Sequence, residues 1–356
     1  MNGAAITDAA TNRDARGPGL RERLGVWLKD RWRYERALRS RSRAYLALAN
    51  RHERLLPAPD GGGWACDWTY TSDLHAPGLQ PQLGRRLLGR ALADAPIVRL
   101  DSPRQPLEPG ETPELSVLIG HRGLDRLPLL LATLTSLAAQ RDVRLECLVI
   151  EQDDEPRIAA SLPAWVRHVL APSRPAGAAY NRSLTFNVGA RQARGRVLLL
   201  HDNDMLVPEG YGRRLLDRLA AGYEVINPKR FVFYLDPQAS AAVLEGRCPS
   251  LGPAGTIVQN LEAGGSMAIR ADTYRAIGGM DERFVGWGGE DNEFWERCLT
   301  RPSWIWGYEP IVHLWHPGQP GKEHRDNPNL ARSRELLSRP AHERIEALRH
   351  QRGSEF

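Results

Sequence analysis

Cysteine is scarce in this sequence, with four residues among 356, and no two of them are spaced as C-x-x-C. Thiols so few and so scattered exclude a disulfide scaffold and a cysteine-rich zinc site, and they favour a reducing compartment. Long apolar runs are also missing, since none approaches the ~20 residues of a membrane-spanning helix. Residues 1–19 lack an apolar signal-peptide core. We therefore expect a cytoplasmic protein, with peripheral contact to the inner face of the membrane as an option.

A glycine-rich dinucleotide loop is absent as well. No G-x-G-x-x-G follows a predicted strand, which disfavours a dinucleotide-dependent oxidoreductase. The segment 120–123 (GHRG) is a poor version of the phosphate loop that a nucleotidyltransferase usually carries after its first strand. The net charge is +5, and much of the excess is arginine near the N-terminus. This distribution predicts no nucleic-acid partner.

The chain is long enough, at 42% hydrophobic residues, to bury one large core or two smaller ones. Residues 1–17 lack periodicity and are predicted to be a disordered tail. Helix formers dominate 18–56, a glycine- and proline-rich break opens a linker and accessory segment over 57–112, and 331–356 is predicted to be a helical tail. The main folded domain is expected between these parts, over 113–330.

The segment 18–56 combines apolar residues at helical spacing with many basic ones. Trp27, Leu28 and Trp32 would form the apolar contact of a basic amphipathic helix. Arginine and lysine between them would attract acidic headgroups (Arg21, Arg23, Lys29, Arg31 and Arg33). Two interpretations stay open: the helix lies on an anionic membrane or a partner, or it packs on the catalytic domain.

Strands and helices alternate from Leu115 onward. Short apolar strands are predicted at 116–119, 145–150 and 197–200, and helices at 128–140 and 182–193. Such alternation predicts an α/β fold with a mostly parallel, Rossmann-like sheet flanked by helices. Ligands in such sheets bind beyond the carboxyl ends of the strands, so the residues that follow each strand are the candidate site.

Acidic and imidazole groups follow two of the apolar runs. Asp202 and Asp204 follow the strand at 197–200, and His313 and His316 follow Pro310-Ile-Val312. Neighbouring carboxylates need a cation or protons to neutralise them, and a divalent metal that also binds phosphate oxygens would do so. An oxygen-and-imidazole set favours Mn²⁺, with Mg²⁺ as the alternative. Surface acidic pairs and structural histidines are the competing explanation.

The segment 286–293 (GWGGEDNE) places a tryptophan among glycines and acidic residues directly after them. Trp287 offers a flat apolar face on which a sugar can stack. Glu290 and Asp291 could accept protons from hydroxyl groups. The alternative is a glycine turn before the acidic first turn of a helix, where negative charge favours the helix dipole.

Five segments in this order resemble family 2 glycosyltransferases of the GT-A fold, and in the C-terminal half they resemble β-1,4-galactosyltransferases and bacterial enzymes of the chondroitin-polymerase type. They are the strand at 116–119 with the strand end at 150–153, then 181–189 (NRSLTFNVG), 200–208 (LHDNDMLVP), 264–269 (GGSMAI) with 278–281 (GGMD), and 286–291 (GWGGED). The resemblance covers about residues 113–330.

The resemblance implies roles for individual residues. Nucleotide-sugar contacts fall on Arg122, Glu151, Asp153, Asn181, Arg182, Asp202, Trp287, Gly288 and Gly289. Metal ligation falls on Asp204 and His316, with Asp202 supporting and His313 where these galactosyltransferases have Met. Asp291 would be the general base and Glu290 would hold sugar hydroxyls. Asn292 stands where the family has Asp.

The predicted function is an inverting, metal-dependent transfer of a hexose or N-acetylhexosamine from a UDP-sugar to a hydroxyl of a glycan, lipid-linked or peptide acceptor. Leu261 falls near the position where galactose-specific relatives carry Tyr, and a smaller side chain there leaves room for an N-acetyl group. This favours UDP-GalNAc or UDP-GlcNAc, with UDP-Gal close behind. The alternatives are a nucleotidyltransferase of related α/β fold and a non-enzymatic protein that binds membrane or nucleic acid.

Overall fold

The computed structural model describes ten ranges of the chain: 19–40, 55–57, 64–66, 76–99, 104–173, 175–229, 231–259, 264–304, 309–318 and 327–353. The predicted tail at 1–17 and Leu261, the position predicted to select the donor, lie outside them. Among the described residues, no helix combines the length and the apolarity needed to span a bilayer.

A seven-stranded sheet forms the centre of the fold. Its strands are β3 (Leu115–His121), β4 (Leu145–Glu151), β5 (Val166–Leu170), β6 (Val197–His201), β8 (Val225–Ile226), β11 (Ser266–Arg270) and β12 (Ser303–Trp304), in the spatial order β12-β8-β11-β6-β3-β4-β5. The strands β6, β3, β4 and β5 are mutually parallel, and β12 is parallel to β8. Only β11 runs antiparallel to its two neighbours. The prediction of a mostly parallel sheet is therefore confirmed.

Six strands lie outside this sheet. A smaller sheet contains β7 (Met205–Leu206), β9 (Phe231–Tyr234), β10 (Thr256–Gln259) and β13 (Ile311–His313) in the order β10-β9-β13-β7. The strands β1 (Leu55–Pro57) and β2 (Trp64–Cys66) pair with each other as an antiparallel ribbon. The pairing of β13 with β7 is antiparallel, and it places His313 opposite Met205, the residue after Asp204.

Helices cover both faces of the central sheet, which explains why β3 and β4 are buried along their whole length. One layer contains α4 (Leu127–Ala138) and α6 (Tyr211–Ala220), which pack on alternate strand residues such as Val117. The opposite layer contains α5 (Arg182–Gln192), α8 (Ala271–Ala276) and α9 (Glu290–Cys298), which pack on Leu118. The predicted helices at 128–140 and 182–193 are thus confirmed, with small shifts at their ends.

The remaining helices lie outside the alternating unit. They are α1, which consists of Leu20–Gly25, a π-helical turn Val26–Asp30 and Arg31–Arg39, then α2 (Ala76–Leu79), α3 (Pro81–Asp94), α7 (Pro237–Leu244), α10 (Pro328–Leu337) and α11 (Ala341–Arg352). A single 3-10 turn occupies Ala159–Ser161.

One predicted segment boundary needs correction. The segment 18–56 was predicted to be helical, but the described helix ends at Arg39, and Leu55–Pro57 forms β1. Ribbon pairing with β2 explains the strand, because an isolated extended segment would leave its backbone groups unpaired. The segment 57–112, predicted as a linker and accessory segment, contains α3, whose Leu83, Leu87 and Leu88 are buried.

Candidate active site

The pairing of β7 with β13 brings a carboxylate and two imidazoles together. Met205 lies opposite His313 in the register of these strands, and the backbone N–H of Leu314 donates to the carbonyl oxygen of Asp204 at 2.8 Å. Asp204, immediately before β7, therefore lies beside His313, the last residue of β13. Three residues later the chain presents His316 to the same carboxylate.

The three side chains form a compact group. Nε2 of His313 is 3.6 Å from Oδ1 of Asp204, and Nε2 of His316 is 3.3 Å from Oδ2. One ligand atom from each residue lies within 4.8 Å of the other two. Burial opposes ionisation of Asp204, but the two histidines and Arg126 together hold its pKa below the ordinary value. This set of one carboxylate and two imidazoles fits Mn²⁺, as predicted from the sequence.

Both histidines are held in place by their surroundings. The ring of His313 stacks on Tyr234 with 4.1 Å between ring centroids, and burial lowers the pKa of this histidine. A neutral imidazole is the form that binds a metal ion. Nδ1 of His316 lies 2.7 Å from the carbonyl oxygen of Pro317. When Nδ1 carries the hydrogen and donates it to that carbonyl, the lone pair of Nε2 points to the carboxylate side.

Arg126, at the start of α4, contacts the same group and was not predicted. Its Nη1 donates to Oδ2 of Asp204 at 3.2 Å, and its Nη2 lies 2.9 Å from Nδ1 of His316. A guanidinium only donates, so this second contact needs the His316 tautomer whose hydrogen is on Nε2. Arg126 and the carbonyl of Pro317 thus favour opposite tautomers of His316.

Arg182 links the acidic residue that follows β6 to the first turn of α9. Its Nε and Nη2 donate to Oδ1 of Asp202 at 2.9 and 2.8 Å, and its Nη1 donates to Oδ1 of Asp291. The guanidinium also lies 4.7 Å from the ring centroid of Phe186. Asp202 was predicted as a ligand of both the nucleotide sugar and the metal. Its carboxylate binds Arg182, and it is not one of the three residues of the compact group, while its role in nucleotide binding stays a prediction.

Glu290 and Asp291 begin α9, directly after Gly289. They do form the acidic first turn of a helix, but Glu290 is buried and Asp291 is only partly exposed. Burial, followed by the negative charge of Asp291, raises the pKa of Glu290 to about 7. Burial also raises the pKa of Asp291, and Arg182 opposes that rise. Oε2 of Glu290 is buried without a hydrogen-bond partner, and the raised pKa of this carboxyl group lets it exchange a proton near neutral pH.

Glu293, one turn further along α9, has a structural role. Arg297 forms a bidentate pair with it at 2.8 and 2.6 Å, and Arg344 of α11 donates to it at 2.8 Å. All three side chains are buried. Glu293 thus anchors α11 to α9, and its oxygens are occupied. Among the acidic residues of this turn, the groups suited to proton transfer are Glu290 and Asp291.

The loop that carries Trp287 is held from the C-terminal side. Side-chain amides of Asn327 and Asn329 donate to the carbonyl oxygen of Trp287 at 2.8 and 3.2 Å. Gly289 has a φ of +86°, and an added Cβ would lie 2.8 Å from Cβ of Ser333. Only glycine fits this position without displacing α10. The side chain of Trp287 is partly exposed, and it lies three residues before Glu290 in the sequence.

The remaining predicted nucleotide ligands lie at the ends of β3 and β4 and in the loop before α5. Arg122 donates to the carbonyl oxygen of Ala178 at 2.5 Å. Glu151 is buried and accepts from Nε2 of His168 at 2.7 Å and from the backbone of Arg157 at 3.0 Å. These bonds stabilise the turn after β4.

Two more of these residues also make structural contacts. Asp153 forms an ion pair with Arg157 at 3.1 Å. Asn181 caps α5 by accepting from the backbone N–H of Leu184 at 2.9 Å, and it donates to the carbonyl oxygen of Glu282 at 2.7 Å. The contacts give Asn181 and Asp153 internal partners, and their roles in nucleotide binding stay predictions.

Two residues near the carboxylates were missed by sequence reasoning, besides Arg126. Tyr234 lies under His313, and burial together with the charges of Asp204, Asp202 and Asp291 raises its pKa to about 12. Lys229 is fully buried, and its Nζ donates at 3.0 Å to Oδ1 of Asn227 and to the carbonyl oxygen of Ser266. Tyr234 could have been found from the sequence, because it is a polar residue at the end of an apolar strand. No sequence pattern identifies Lys229 as a residue of the site.

The fold is α/β with a mostly parallel sheet, and its site combines a carboxylate–imidazole group that could hold a metal ion with the carboxylate pair of Glu290 and Asp291. Residues 259–303 match the family model described as the N-terminal domain of galactosyltransferase. This range contains Trp287, Glu290 and Asp291, and over it the chain resembles the β-1,4-galactosyltransferases.

Individual relatives match over a short segment. Sixty-one residues are 43% identical to β-1,4-galactosyltransferase 7 of Homo sapiens and 41% identical to that of Mus musculus. Each alignment covers 15% of this chain and 19% of the relative, so the chain spans about a fifth of the length of these curated relatives.

Solved structures of the Drosophila β-1,4-galactosyltransferase 7 are also similar. One is the catalytic domain in complex with xylobiose, and another is a mutant in complex with manganese, UDP-Gal and xylobiose. Each is 16% identical in sequence, with a TM-score of 0.39, and the match covers 61% of this chain and 79% of that one.

Proposed function

We propose that this protein is an inverting, Mn²⁺-dependent glycosyltransferase that moves a hexose or N-acetylhexosamine from a UDP-sugar to a hydroxyl group of a glycan acceptor. One observation carries the proposal. Arg182 binds Asp291 and also Asp202, which lies two residues before Asp204 of the metal-binding group. The charges of Asp204, Asp202 and Asp291 also all act on Tyr234. These contacts support a cation site and a base close to each other.

The cation site suits the leaving group of a sugar nucleotide. A bound divalent ion neutralises the charge that develops on a departing diphosphate, which is often the largest catalytic contribution. Asp204, His313 and His316 fit such an ion by their donor atoms and spacing. Arg126 adds a second positive charge at the same place, where it can donate to phosphate oxygens.

The carboxylate pair suits the acceptor. Asp291 would take the proton of the attacking hydroxyl, and burial makes this carboxylate more basic than an exposed one. The positive charge of Arg182 favours its ionised form. Glu290 would hold a neighbouring hydroxyl, and Trp287 would stack on a sugar face. A single displacement by a hydroxyl on the face opposite the leaving group inverts the anomeric centre.

Donor identity is the finer part of the proposal. Leu261 favours an N-acetylhexosamine. The similarity of residues 259–303 to galactosyltransferase domains supports UDP-Gal as a second candidate donor. A pocket discriminates one small apolar group by only ~1–3 kcal/mol, so the protein is expected to use more than one donor. The acceptor is proposed as a glycan hydroxyl, with lipid-linked and peptide-linked forms as further candidates.

A screen of UDP release tests the proposal. UDP-Gal, UDP-GalNAc and UDP-GlcNAc are each incubated with Mn²⁺, Mg²⁺ or EDTA, with and without a panel of saccharide acceptors. We expect metal-dependent turnover that an acceptor accelerates, and a product whose anomeric configuration, read by NMR, is opposite to that of the donor. Equal turnover in EDTA, or retention of configuration, contradicts the mechanism. Pyrophosphate release from UTP and a sugar phosphate would instead support the nucleotidyltransferase.

A further inference from the structure

One face of α1 exposes five large apolar side chains to solvent. Leu20 and Leu28 are 75% and 76% exposed, and Trp32 is 64% exposed. We call these residues the apolar stripe of α1: Leu20, Leu24, Trp27, Leu28 and Trp32. Exposed apolar groups gathered along one helix face mark an interaction surface more often than single exposed residues do.

The opposite face of α1 is already occupied. Val26 and Tyr34 are completely buried in a cluster that includes Leu83 and Leu87 of α3 and Val312 of β13. The interpretation of α1 as a helix packed on the domain is therefore correct for this face. Packing of this face fixes the orientation of the helix and leaves the apolar stripe pointing away from the domain. The buried face belongs to the same cluster as Val312 of β13, the strand that ends at His313.

Basic side chains surround the apolar stripe. Residues 19–40 contain seven arginines and lysines and three acidic residues. Glu35 is neutralised by Arg31 at 3.0 Å and Arg39 at 3.3 Å. The guanidinium of Arg31 also lies 6.0 Å from the ring centroid of Trp27 and 5.8 Å from that of Trp32. Arginine beside tryptophan on an otherwise apolar face is the composition of a helix that lies at the interface between headgroups and acyl chains.

We propose that α1 docks this protein on an anionic lipid bilayer, with the apolar stripe inserted at the level of the headgroups and the basic residues in contact with acidic lipids. Charge selects this occupant over a second copy of the chain, because two copies would bring two positively charged surfaces together. The cytoplasmic leaflet, rich in acidic lipids, is the matching surface. This docking does not depend on the proposed transferase activity, and its test uses no catalytic readout.

The test is co-sedimentation of the full-length protein with vesicles of phosphatidylcholine alone or with 30% phosphatidylglycerol, the latter fraction being about that of an acidic membrane. Leu28→Glu places a negative charge on the apolar stripe without touching the core, since Leu28 is highly exposed. Leu244→Glu is the matched control, because Leu244 is also exposed but lies at the end of α7. Both proteins are checked by circular dichroism.

We expect wild type and Leu244→Glu to bind the acidic vesicles, and Leu28→Glu to bind them roughly tenfold more weakly or not at all. Binding should weaken as salt is raised and should be poor on phosphatidylcholine alone. Equal binding by Leu28→Glu and wild type overturns the proposal, as does failure of wild type to bind acidic vesicles. A dimer in sedimentation velocity that Leu28→Glu dissociates, without vesicle binding, would assign the surface to a second copy instead.

Discussion

Arg182 and Asp291 are 109 residues apart in sequence, and their side chains form a partly buried ion pair. The pair connects the N-terminal end of α5 to that of α9. Burial by itself raises the pKa of Asp291, and the guanidinium works against that rise. The arginine therefore opposes protonation of the candidate base, which burial favours.

Asp291→Asn should lower kcat by about 10²-fold or more, because the side chain can no longer accept a proton. The affinity for UDP should change little, since the proposed nucleotide and metal contacts lie on other residues. Steady-state kinetics and UDP titration would measure the two effects. Asp217→Asn is the control, an exposed carboxylate paired with Arg213. Near-normal turnover of Asp291→Asn would transfer the role of base to Glu290.

Removing a ligand of the metal group should abolish Mn²⁺ binding. Asp204→Asn and His316→Ala each take one donor from a set of three, and we expect both to lose Mn²⁺-dependent binding of the donor sugar nucleotide while their circular dichroism stays that of wild type. Electron paramagnetic resonance of free Mn²⁺ measures binding directly. Undiminished Mn²⁺ affinity in both variants would show that the ion binds elsewhere.

Arg126→Met should strengthen Mn²⁺ binding in the absence of donor. The guanidinium carries a positive charge, as Mn²⁺ does, and lies within hydrogen-bond distance of the ligand Asp204. It also favours the His316 tautomer whose Nε2 carries hydrogen. Removing it takes away a repulsion of at least about 1 kcal/mol, so we expect roughly a tenfold gain in affinity by calorimetry. Arg213→Met, at an exposed ion pair on α6, is the control. A loss of Mn²⁺ affinity would mean that Arg126 supports the ligands rather than competing for them.

Glu290→Gln should stabilise the protein at pH 8 while lowering turnover. The carboxyl has an ordinary pKa of 4.5 and a pKa of about 7 in the folded protein. Between these values the folded state keeps a proton that the unfolded state has lost, so the stability contribution is present at low pH and falls as pH rises toward 7. A shift of this size is worth about 3 kcal/mol.

Denaturant unfolding at several pH values would test this. The difference between Glu290→Gln and wild type should be largest above pH 7 and should shrink toward pH 4. Glu245→Gln, at a largely exposed position, should show no such trend. If the difference in free energy of unfolding between Glu290→Gln and wild type stays constant from pH 5 to pH 8, the pKa of Glu290 is not raised in the folded protein.

Leu261→Tyr should move donor preference toward UDP-Gal. A bulky side chain at this position would leave less room for an N-acetyl group, and the expected change in the ratio of kcat/KM values is about 10- to 200-fold. The ratio is measured for UDP-Gal, UDP-GalNAc and UDP-GlcNAc with both proteins. A wild-type preference for UDP-Gal that the substitution leaves unchanged would show that another residue selects the donor.

Much of the architecture follows from patterns within short stretches of sequence. The apolar run 197–200 predicts a buried parallel strand, and the parallel geometry then places Asp202 and Asp204 at the ligand-binding edge. The segment 311–313, with its apolar Ile311 and Val312, likewise identifies His313 as a residue at a strand end. Periodicity of 3.6 residues identifies α4 and α5.

The rest depends on contacts between segments that no local pattern encodes. Nothing near Arg126 indicates that it reaches His316, because that contact requires α4 to lie against the end of β13. Tyr234 lies under His313 only because β9 pairs with β13. Glu293 forms structural ion pairs with Arg297 and Arg344 and is not available for proton transfer. Its pair with Arg344 requires α11 to pack on α9. Sequence reasoning identifies the types of groups at the site, and tertiary packing decides which of them are available.

The pairing of β7 with β13 also connects the cation to folding. Asp204 and His313 are far apart in the unfolded chain, so the three-residue group exists only when the two strands are paired. A ligand that binds only the folded state stabilises it in proportion to the logarithm of its concentration, by about 2.7 kcal/mol at a hundred times its Kd. Heat denaturation in the presence of different divalent ions would therefore rank them by affinity without the use of any substrate.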